Sequence, residues 1–584
     1  MPADEPSLSG TPLWLPDPAA QANTHLAHFR SALGAVHGLK LPNYPMLHAW
    51  SVAEPAAFWE ALSDYAGVRY RRPAHSIVED GDAFPGARWF PGAQLNFAEN
   101  LLRYRDHKPA LVSITESGQR TELDYATLYA RVYALSEALR ERGVAPGDRI
   151  AGWLPNAEAA VIAMLASTAL GAVWSSCSPD FGEQAAIDRF GQIEPVLLFG
   201  CDSYEYAGKN HATRSKVKAV AQAIGSIREV IWVSPTAGLA NADSDFEQLS
   251  IARDGEIAFH PCDFSDPLYI MYSSGTTGVP KCIVHGVGGT LLQHQKEHLL
   301  HVDLHREDRL FFFTTCGWMM WNWLVSALAC GNSLVLYDGS PFHPGPERLM
   351  DLAQDEGITQ FGISAKYLSA IDKAGLTPAS SHDLSAMRLL LSTGSPLTHE
   401  GFRYVYDKVH PTVQLVSMSG GTDILSCFVL GHPAAPIFAG EIPAAGLGMA
   451  VDVWNDAGVP VMAQKGELVC TQPFPSAPLG FWNDADGSRY HKAYFAQFEG
   501  AWAQGDFAER TANGGFIIYG RSDAILNPGG VRIGTAEIYR QVDAFSEITD
   551  AVCIGQDWQG DVRVVLFVTM AAGQALSDSL VTRL

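Results

Sequence analysis

The sequence has 584 residues, a length at which a chain divides into two or more domains, because a single hydrophobic core stops growing near about 250–300 residues. The net charge of −23 argues against broad binding to nucleic acid or to an anionic membrane, but it leaves room for a local basic pocket. The nine cysteines are scattered and never form a C-x-x-C pair, which excludes a disulfide framework or a zinc cluster. There is no signal-peptide pattern and no run of 18 or more apolar residues, so we expect a soluble, cytoplasmic protein.

The first two thirds of the chain alternate between short apolar strands and helices, after an arm of about 40 residues that we expect to pack loosely. Such alternation predicts a mostly parallel sheet with both faces covered. The predicted elements are a helical pattern over Trp50–Gly67, a strand at Ala151–Leu154, a helix at Ala159–Leu170, and strands at Pro195–Gly200, Glu229–Val233, Leu334–Tyr337 and Leu389–Leu391.

The pattern changes after about residue 440, where strands bounded by glycine and proline predict a smaller β-rich region. A break near Gly520–Asp523 precedes a short α+β segment. The fold class is therefore α/β, with a large multi-sheet N-terminal domain, a β-rich subdomain and a small α+β C-terminal domain. The strands of the late region are predicted at Gly466–Cys470, Gly515–Tyr519, Ala551–Ile554 and Val562–Thr569, with a helix at Thr535–Phe545.

One loop carries the strongest chemical signal. The run Tyr272-Ser-Ser-Gly-Thr-Thr-Gly-Val-Pro-Lys281 directly follows a predicted strand, Pro267–Met271. Its small residues let backbone N–H groups wrap an anion, its hydroxyls add donors, and Lys281 adds a positive charge, a combination that suits a polyphosphate. The pattern lacks the Gly-Lys-[Ser/Thr] of P-loop proteins, which disfavours a P-loop ATPase. The predicted nucleotide-binding residues of this loop are Ser273, Ser274, Gly275, Thr276, Thr277 and Gly278.

This run resembles the signature of the adenylate-forming enzymes, which include acyl-CoA synthetases, nonribosomal peptide adenylation domains and luciferases. The resemblance implies an AMP-binding enzyme that uses ATP and Mg²⁺ to convert an acid to an acyl-adenylate, and CoA to complete the ligation. It also implies an N-terminal extension over residues 1–110, an adenylation domain over 111–520 and part of a C-terminal lid domain over 521–584.

Further motifs occur in the order that the family has. In Ser419-Gly-Gly-Thr-Asp423, the resemblance implies that Thr422 contacts a phosphate and that the Asp423 carboxylate is a Mg²⁺ ligand. Here the aromatic residue that stacks on adenine in the family is missing, and a helix-cap role for Asp423 is the alternative. By the same resemblance, Asp506 accepts hydrogen bonds from the ribose, Arg521 lies near the phosphates or ribose, Asp523 is the hinge of a domain rotation, Gly530 and Arg532 approach CoA, and Gly394, Ser395 and Pro396 form the loop beside adenine.

Two stretches of the sequence indicate which acid is the substrate. Trp89–Leu101 and Phe313–Trp323 resemble the acetyl-CoA synthetase branch, and within it the ligases of acetoacetate. This implies an acyl pocket that includes Trp318 and Trp321, although ordinary core packing also explains a Trp/Met helix. Relatives specific for acetate have a tryptophan where this chain has the pair Gly420 and Gly421, so we expect room for a longer acid. Acetoacetate fits this expectation, and propionate or butyrate remains the alternative.

Two further groups of residues, one basic and one of histidines, indicate a function less specifically than the motifs above. Lys209, Arg214 and Lys216 form a basic cluster that suits the 3′-phosphate of CoA, and a solvated surface is the alternative. Four histidines share one face if helical, but no H-E-x-x-H pattern is present and the fold needs a packing helix there, which disfavours a metal site. These histidines are His294, His298, His301 and His305.

The last part of the sequence departs from the family. The resemblance implies a late Gly-Lys motif whose lysine reaches the substrate carboxylate, but no lysine follows Lys492. We therefore expect an incomplete C-terminal domain and weak adenylation. A nucleotide-binding protein without turnover is the alternative from a different functional class. The expected partners are small molecules, without nucleic acid or membrane, and the expected assembly is a monomer or dimer.

Overall fold

The computed structural model describes residues 10–234, 245–273, 280–522, 526, 535–558 and 561–584. Within them the α-helices are α1 (Pro18–Gln21), α2 (His25–His37), α3 (Tyr44–Ala53), α4 (Pro55–Tyr65), α5 (Phe97–Leu101), α6 (Tyr125–Glu141), α7 (Glu158–Ala169), α8 (Glu183–Ile193), α9 (Arg214–Ala223), α10 (Asp245–Leu249), α11 (Val287–Lys296), α12 (Met319–Ser326), α13 (Arg348–Asp355), α14 (Ala365–Lys373), α15 (Pro378–Ser381), α16 (His399–Tyr404), α17 (Ser488–Tyr494), α18 (Thr535–Asp543) and α19 (Asp578–Arg583).

The strands of the first half are β1 (Tyr70–Arg72), β2 (Val78–Glu79), β3 (Arg88–Trp89), β4 (Gln94–Leu95), β5 (Pro109–Thr115), β6 (Arg120–Asp124), β7 (Arg149–Trp153), β8 (Val173–Cys177), β9 (Leu197–Cys201), β10 (Ser203–Tyr206), β11 (Lys209–Ala212), β12 (Glu229–Val233), β13 (Cys262–Asp263), β14 (Pro267–Ser273) and β15 (Lys281–Gly286). Those of the second half are β16 (Arg309–Phe312), β17 (Ser333–Asp338), β18 (Gln360–Ser364), β19 (Leu389–Thr393), β20 (Gln414–Ser417), β21 (Ser419–Gly421), β22 (Ser426–Leu430), β23 (Ala444–Ala445), β24 (Val451–Trp454), β25 (Lys465–Cys470), β26 (Gly480–Phe481), β27 (Trp502–Arg510), β28 (Phe516–Arg521), β29 (Ile548–Trp558) and β30 (Asp561–Met570).

Two seven-stranded sheets form the centre of the molecule. One has the order β12-β9-β7-β8-β14-β15-β26, and the other has the order β20-β19-β18-β16-β17-β5-β6. The first four pairs of the first sheet are parallel, as are the pairs from β20 to β5 in the second. Every residue of α7 is buried, as expected for a helix that covers a sheet on one side and is covered by other helices on the other. The predicted α/β fold is confirmed.

The predicted strands agree closely with the observed ones, because a short apolar run between turn signals is a strong local pattern. The strand predicted at Ala151–Leu154 is β7, and that at Glu229–Val233 is β12. The later region forms an antiparallel four-stranded sheet, β24-β25-β27-β28, and the last strands form the hairpin β29–β30 next to α18. These elements match the predicted β-rich region and α+β segment.

The N-terminal arm differs from the prediction. Instead of packing loosely, α2 buries Leu26, Phe29 and Leu33, which fall on one helical face at spacings of three and four residues. The helix predicted over Trp50–Gly67 is divided between α3 and α4, and α4 begins at Pro55, since proline lacks the N–H that a continuous helix would need. The side chains of these helices join one core that extends through both large sheets. Within the part of the chain that the structure describes, no helix has the length and apolar character of a membrane span.

Candidate active site

The candidate site lies where several strand ends meet. In the hairpin of β14 and β15, Ser273 pairs directly with Lys281, so the two ends of the phosphate loop are held side by side. The loop residues between them, Ser274, Gly275, Thr276, Thr277 and Gly278, lie outside the described residues, as do Asp523, Gly530 and Arg532. The described part of the site therefore consists of the base of the loop, the turn after β21, and the strands β27 and β28.

Lys281 and Asp423 come together across the site. The Lys281 Nζ lies 3.9 Å from the Asp423 Oδ1, and both side chains remain partly exposed. Tyr494 donates a short hydrogen bond from its hydroxyl to the same carboxylate oxygen. Its ring is stacked on Trp502 at 3.7 Å between centroids and lies 5.3 Å from the Lys281 ammonium. Burial and the Asp423 charge raise the pKa of Tyr494 well above its ordinary value, so the hydroxyl is a donor at neutral pH.

The second cluster joins Asp506 of β27 to Arg521 of β28. The Arg521 Nη1 donates to the Asp506 Oδ1 at 3.1 Å and to the Gln504 carbonyl at 3.0 Å, and the Ser419 hydroxyl donates to the Asp506 Oδ2 at 3.3 Å. Burial raises the pKa of Asp506 to about 6 even though Arg521 opposes this shift. The carboxylate is therefore held between a charge and a hydroxyl, and it is ionised at neutral pH.

A buried carboxyl group bonds to strand β27 next to Asp506. The Glu467 Oε1 accepts a hydrogen bond of 2.6 Å from the backbone N–H of Gly505, the residue before Asp506. Burial raises the pKa of Glu467 to about 7, while bonds from Gly505 and Ser522 favour the ionised form. Glu467 thus connects strand β27, at the residue before Asp506, with the segment that follows Arg521. Sequence reasoning missed both Glu467 and Tyr494.

The loop after β19 lies next to Met418, the residue before β21. Thr393, the last residue of β19, donates from its hydroxyl to the carbonyl of Met418 at 3.0 Å. Gly394 has a φ of +89°, a left-handed conformation that glycine adopts without strain, and Ser395 and Pro396 follow it. Thr422 lies in the turn between β21 and β22, where its carbonyl accepts from Leu425 at 3.3 Å. These positions agree with a nucleotide-facing loop, and the contacts to adenine and phosphate stay predictions.

The two glycines have different surroundings. A Cβ on Gly420 would lie 2.0 Å from the carbonyl oxygen of Ser426, so the backbone of β22 packs directly against this residue. Gly420 is therefore suited to the close pairing of β21 with β22, and its role in an acyl pocket stays a prediction. At Gly421 a Cβ would lie 3.1 Å from the Gln504 Nε2 and 3.4 Å from the Asp423 Oδ2, which places this residue beside the Asp423 and Gln504 side chains.

The two tryptophans of the predicted acyl pocket have different surroundings. Trp321 is fully buried and donates from Nε1 to the Asn156 Oδ1 at 3.1 Å, as expected for a core residue. Trp318, just before α12, is 60 % exposed. Trp321 is thus packed in the core and Trp318 lies on an accessible surface, and a role of either in the acyl pocket stays a prediction.

The basic cluster lies on and after the hairpin of β10 and β11. Lys209 is exposed at the start of β11, and Arg214 begins α9 together with the exposed Lys216. Arg214 forms an ion pair of 2.6 Å with Asp202, and its guanidinium lies 4.4 Å from the centroid of the Trp232 ring. Lys209 and Lys216 are thus both exposed, and the contact of Lys209 with CoA remains a prediction.

His294, His298 and His301 are buried in the core, in agreement with the packing interpretation. His294 bonds through its two ring nitrogens to the Ser326 hydroxyl at 2.7 Å and the Leu425 carbonyl at 2.6 Å. His301 contacts the Gly431 carbonyl at 2.8 Å. His305 is separate from them, since its Nε2 lies 3.2 Å from the Asp303 carboxylate.

Comparisons with known proteins agree with this geometry. The family model described as AMP-binding enzyme matches residues 97–477, and that of the acetyl-coenzyme A synthetase N-terminus matches residues 44–101. An acetoacetyl-coenzyme A synthetase of Rhizobium meliloti (strain 1021) is 52 % identical over 574 residues, covering 97 % of this chain and 88 % of the relative. An acetoacetyl-CoA synthetase of Gallus gallus is 44 % identical over 588 residues, covering 98 % and 88 %. The solved structure of the acetoacetyl-CoA synthetase from Streptomyces lividans is similar with a TM-score of 0.92 and 42 % identity, covering 98 % of this chain and 89 % of that one.

A two-sheet α/β body that matches the AMP-binding enzyme family over residues 97–477 identifies an enzyme that forms acyl-adenylates. The chain belongs to the acetoacetyl-CoA synthetase branch of the AMP-binding enzyme family, whose members are AMP-forming acid–thiol ligases with ATP and CoA as substrates.

Proposed function

We propose that this chain activates acetoacetate with ATP and transfers the acyl group to CoA, giving acetoacetyl-CoA, AMP and pyrophosphate. The observation that carries the proposal is the convergence of Lys281, Asp423, Asp506 and Arg521 on one site, in a chain whose relatives named for this reaction match it almost from end to end. The division of the chain after residues 110 and 520 is part of this proposal.

In the first half-reaction, the substrate carboxylate attacks the α-phosphorus of ATP and pyrophosphate leaves. Lys281 and the hydroxyls and backbone N–H groups of the loop neutralise the charge that develops on the phosphate oxygens, and Thr422 adds a donor from the facing turn. Asp506 accepts hydrogen bonds from the ribose hydroxyls, while Arg521 holds the Asp506 carboxylate in place at 3.1 Å. No side-chain nucleophile is required, because the substrate itself attacks.

Asp423 fits the role of a Mg²⁺ ligand. Its carboxylate is partly exposed, one oxygen is oriented by the Tyr494 hydroxyl, and the Oδ2 accepts no hydrogen bond from the described residues. Mg²⁺ prefers carboxylate and phosphate oxygens, and it would supply charge neutralisation on the phosphates here. Tyr494 keeps the carboxylate in the orientation that this role needs.

In the second half-reaction, the CoA thiolate attacks the acyl carbon and AMP leaves. We assign Lys209, with Arg214 beside it, to the phosphates of CoA, and Gly530 and Arg532 to the segment that approaches CoA after rotation about Asp523. The exposure of Lys209 at the start of β11 supports this assignment.

The test is the release of AMP by the purified protein with ATP, Mg²⁺ and CoA, measured with acetate, propionate, butyrate and acetoacetate. We expect the highest kcat/KM with acetoacetate. A higher value for another acid would show a different short-chain ligase, and ATP binding without release of pyrophosphate would show a protein that binds the nucleotide but does not turn it over. Lys281→Ala should lower the rate of pyrophosphate exchange if the chain is a ligase for acetoacetate or for another short acid. A protein that binds the nucleotide without turnover has no such exchange to lower.

A further inference from the structure

We propose that Glu116 is a positioning residue for the second half-reaction: its buried carboxylate holds the turn of the β10–β11 hairpin and thereby sets the position of Lys209. The step concerned is the binding of CoA through its phosphates. The inference rests on the proposed function, which assigns Lys209 to CoA, and it adds the residue that connects this lysine with the rest of the molecule.

The β10–β11 hairpin is a two-stranded sheet, separate from the two large sheets. Tyr206 pairs with Lys209, which leaves Ala207 and Gly208 as a two-residue turn. Both turn residues have positive φ, +52° and +74°, as in the type I′ turns that are common in short hairpins. The place of this turn in the molecule therefore depends on contacts from outside the hairpin.

One carboxylate holds the turn. The Glu116 Oε2 accepts from the Ala207 N–H at 2.9 Å, and the Oε1 accepts from the Gly208 N–H at 2.6 Å. The Oε2 also accepts from the Ser340 N–H at 2.6 Å. Glu116 is only 7 % exposed, and burial disfavours the charged form, but the three backbone N–H bonds outweigh burial and lower the pKa of this carboxyl group. The turn is thus held by two hydrogen bonds to an ionised group, which are stronger than bonds between neutral groups.

These bonds connect segments that belong to different sheets. Glu116 directly follows β5, and Ser340 lies two residues after β17, the parallel neighbour of β5 in the second large sheet. The hairpin begins two residues after β9, a strand of the first large sheet. Each segment follows the carboxyl end of a strand in a parallel arrangement, the edge at which open α/β sheets bind their ligands. Glu116 therefore fixes the hairpin of one sheet relative to the other.

The surroundings of Glu116 and of the turn are closely packed. A Cβ at Gly339 would lie 2.6 Å from the Glu116 Cβ, so bare backbone packs against the stem of this side chain. A Cβ at Gly208 would lie 2.8 Å from the His343 ring, so the turn also lies against that ring. Replacing the carboxylate with an amide of the same shape therefore weakens the bonds to the turn while it preserves the packing.

The position of Lys209 depends on the turn, because Lys209 directly follows Gly208 and its side chain is exposed. If the hairpin is in place only part of the time, the apparent affinity for CoA falls by that fraction. A purely electrostatic effect has the opposite sign. Neutralising Glu116 removes a negative charge close to the turn, which by itself should strengthen the binding of the CoA phosphates. The direction of the change in the KM for CoA therefore distinguishes a positioning role from a charge effect.

The experiment measures the KM for CoA in the AMP-release assay, and the rate of pyrophosphate exchange without CoA. It compares the wild-type chain with Glu116→Gln, Lys209→Ala and the double variant. We expect Glu116→Gln to raise the KM for CoA about five- to tenfold while exchange changes less than about twofold, because only the second half-reaction uses Lys209. The double variant should have the KM of Lys209→Ala, since Glu116 acts through this lysine.

Glu205→Gln is the matched control. It removes the same charge from the same hairpin, but both N–H groups of the turn donate to Glu116. It should leave the KM for CoA unchanged or slightly lower. Glu116→Asp keeps the charge but shortens the side chain by one methylene, so it should raise the KM as Glu116→Gln does, and it decides the question if Glu116→Gln does not fold.

An unchanged or lower KM for CoA in the folded Glu116 variants, or additive effects in the double variant, would overturn the inference while the assignment of Lys209 stands. If Lys209→Ala itself leaves the KM unchanged, that assignment is wrong and the inference falls with it. The Kd for CoA from isothermal titration calorimetry repeats the comparison without turnover. A chain that releases no AMP would therefore reject the proposed function, but its Kd values would still show whether Glu116→Gln weakens CoA binding.

Discussion

At the scale of single residues, Tyr494 is the clearest addition that the structure makes to the site. Its hydroxyl is directed at Asp423, and its ring is fixed by stacking on Trp502 at 3.7 Å. We expect Tyr494→Phe to lower the rate of pyrophosphate exchange about 10- to 100-fold, because a hydrogen bond to a charged group contributes about 1.5–3 kcal/mol.

Tyr490→Phe is the control for this change, since Tyr490 is buried in the same aromatic cluster with its ring 5.3 Å from that of Tyr494. It should have little effect on exchange. An unchanged rate in Tyr494→Phe would show that Asp423 does not depend on this hydroxyl for its orientation.

Gly505 provides a second test at the scale of one residue. It has a φ of +78°, and a Cβ there would lie 2.3 Å from the Arg521 Nη2. Gly505→Ala should therefore displace the guanidinium from Asp506 and raise the KM for ATP about tenfold, from a loss of about 1.4 kcal/mol in binding. KM for ATP in the AMP-release assay is the measurement.

Gly500→Ala separates the contact from backbone strain. Gly500 has a similar φ of +73°, but no heavy atom lies within 4 Å of its Cβ position. Both alanine variants should lose a similar 1–2 kcal/mol of stability from the left-handed conformation. If both also raise the KM for ATP equally, the contact with Arg521 has no role in nucleotide binding.

At the scale of elements, the helix after the phosphate hairpin combines complete burial with polar side chains. All residues of α11 and of the π-helical turn Glu297–His301 that extends it are buried. The Glu297 carboxylate accepts from the Trp323 Nε1 at 2.8 Å and from the Cys427 N–H at 3.1 Å, which links this helix to α12 and β22. The helix therefore packs against the residues that follow the turn of Thr422 and Asp423, and it holds them in place.

The buried histidines of this helix make the stability of the protein depend on pH. Burial lowers the pKa values of His294, His298 and His301 below the ordinary value near 6.5. Below about pH 6.5 the unfolded chain therefore takes up protons that the folded chain does not, so the free energy of unfolding falls as the pH falls. Each histidine contributes up to about 1.4 kcal/mol per pH unit in that range.

Thermal unfolding of His298→Leu against the wild type between pH 5 and pH 7.5 checks this prediction. His298 packs against the Trp323 ring at 4.4 Å, so leucine keeps an apolar contact. The Tm of the variant should fall less steeply below pH 6.5, whereas the exposed His37→Gln should follow the wild type. Parallel Tm curves for His298→Leu and the wild type would refute the role of this histidine.

At the scale of the whole molecule, local patterns predicted the strands of the sheets, and resemblance indicated candidate site residues, but neither could predict long-range contacts. Asp506 and Arg521 were predicted from motifs, and they meet at 3.1 Å. Tyr494 lies 71 residues from Asp423, and no local pattern distinguishes it from other tyrosines. Gly420 was interpreted from the volume of a missing side chain, and the sequence could not show that a Cβ there would lie 2.0 Å from the Ser426 carbonyl oxygen of the neighbouring strand.

The N-terminal helices illustrate the same limit and lead to the last prediction. They cover the end of β23 and the segment after it. Tyr44 donates to the Ala445 carbonyl at 2.5 Å, and Ser51 accepts from the Gly448 N–H at 2.8 Å. The Phe58 ring packs so closely on Gly448 that a Cβ there would lie 2.7 Å from a ring carbon. Because this segment belongs to the same core as the two sheets, damage to the extension should destabilise the adenylation region as well.

Phe58→Ala tests this coupling. Phe58 is fully buried, and its removal should cost about 3–5 kcal/mol, lowering the Tm by several degrees. Because the core is continuous, loss of tertiary structure by near-UV circular dichroism and loss of ATP-dependent activity should move to lower temperature together. The partly exposed Phe342→Ala should leave both almost unchanged. If activity in Phe58→Ala survives to the wild-type temperature while part of the tertiary signal is lost earlier, the extension unfolds independently, and the adenylation region does not need it for stability.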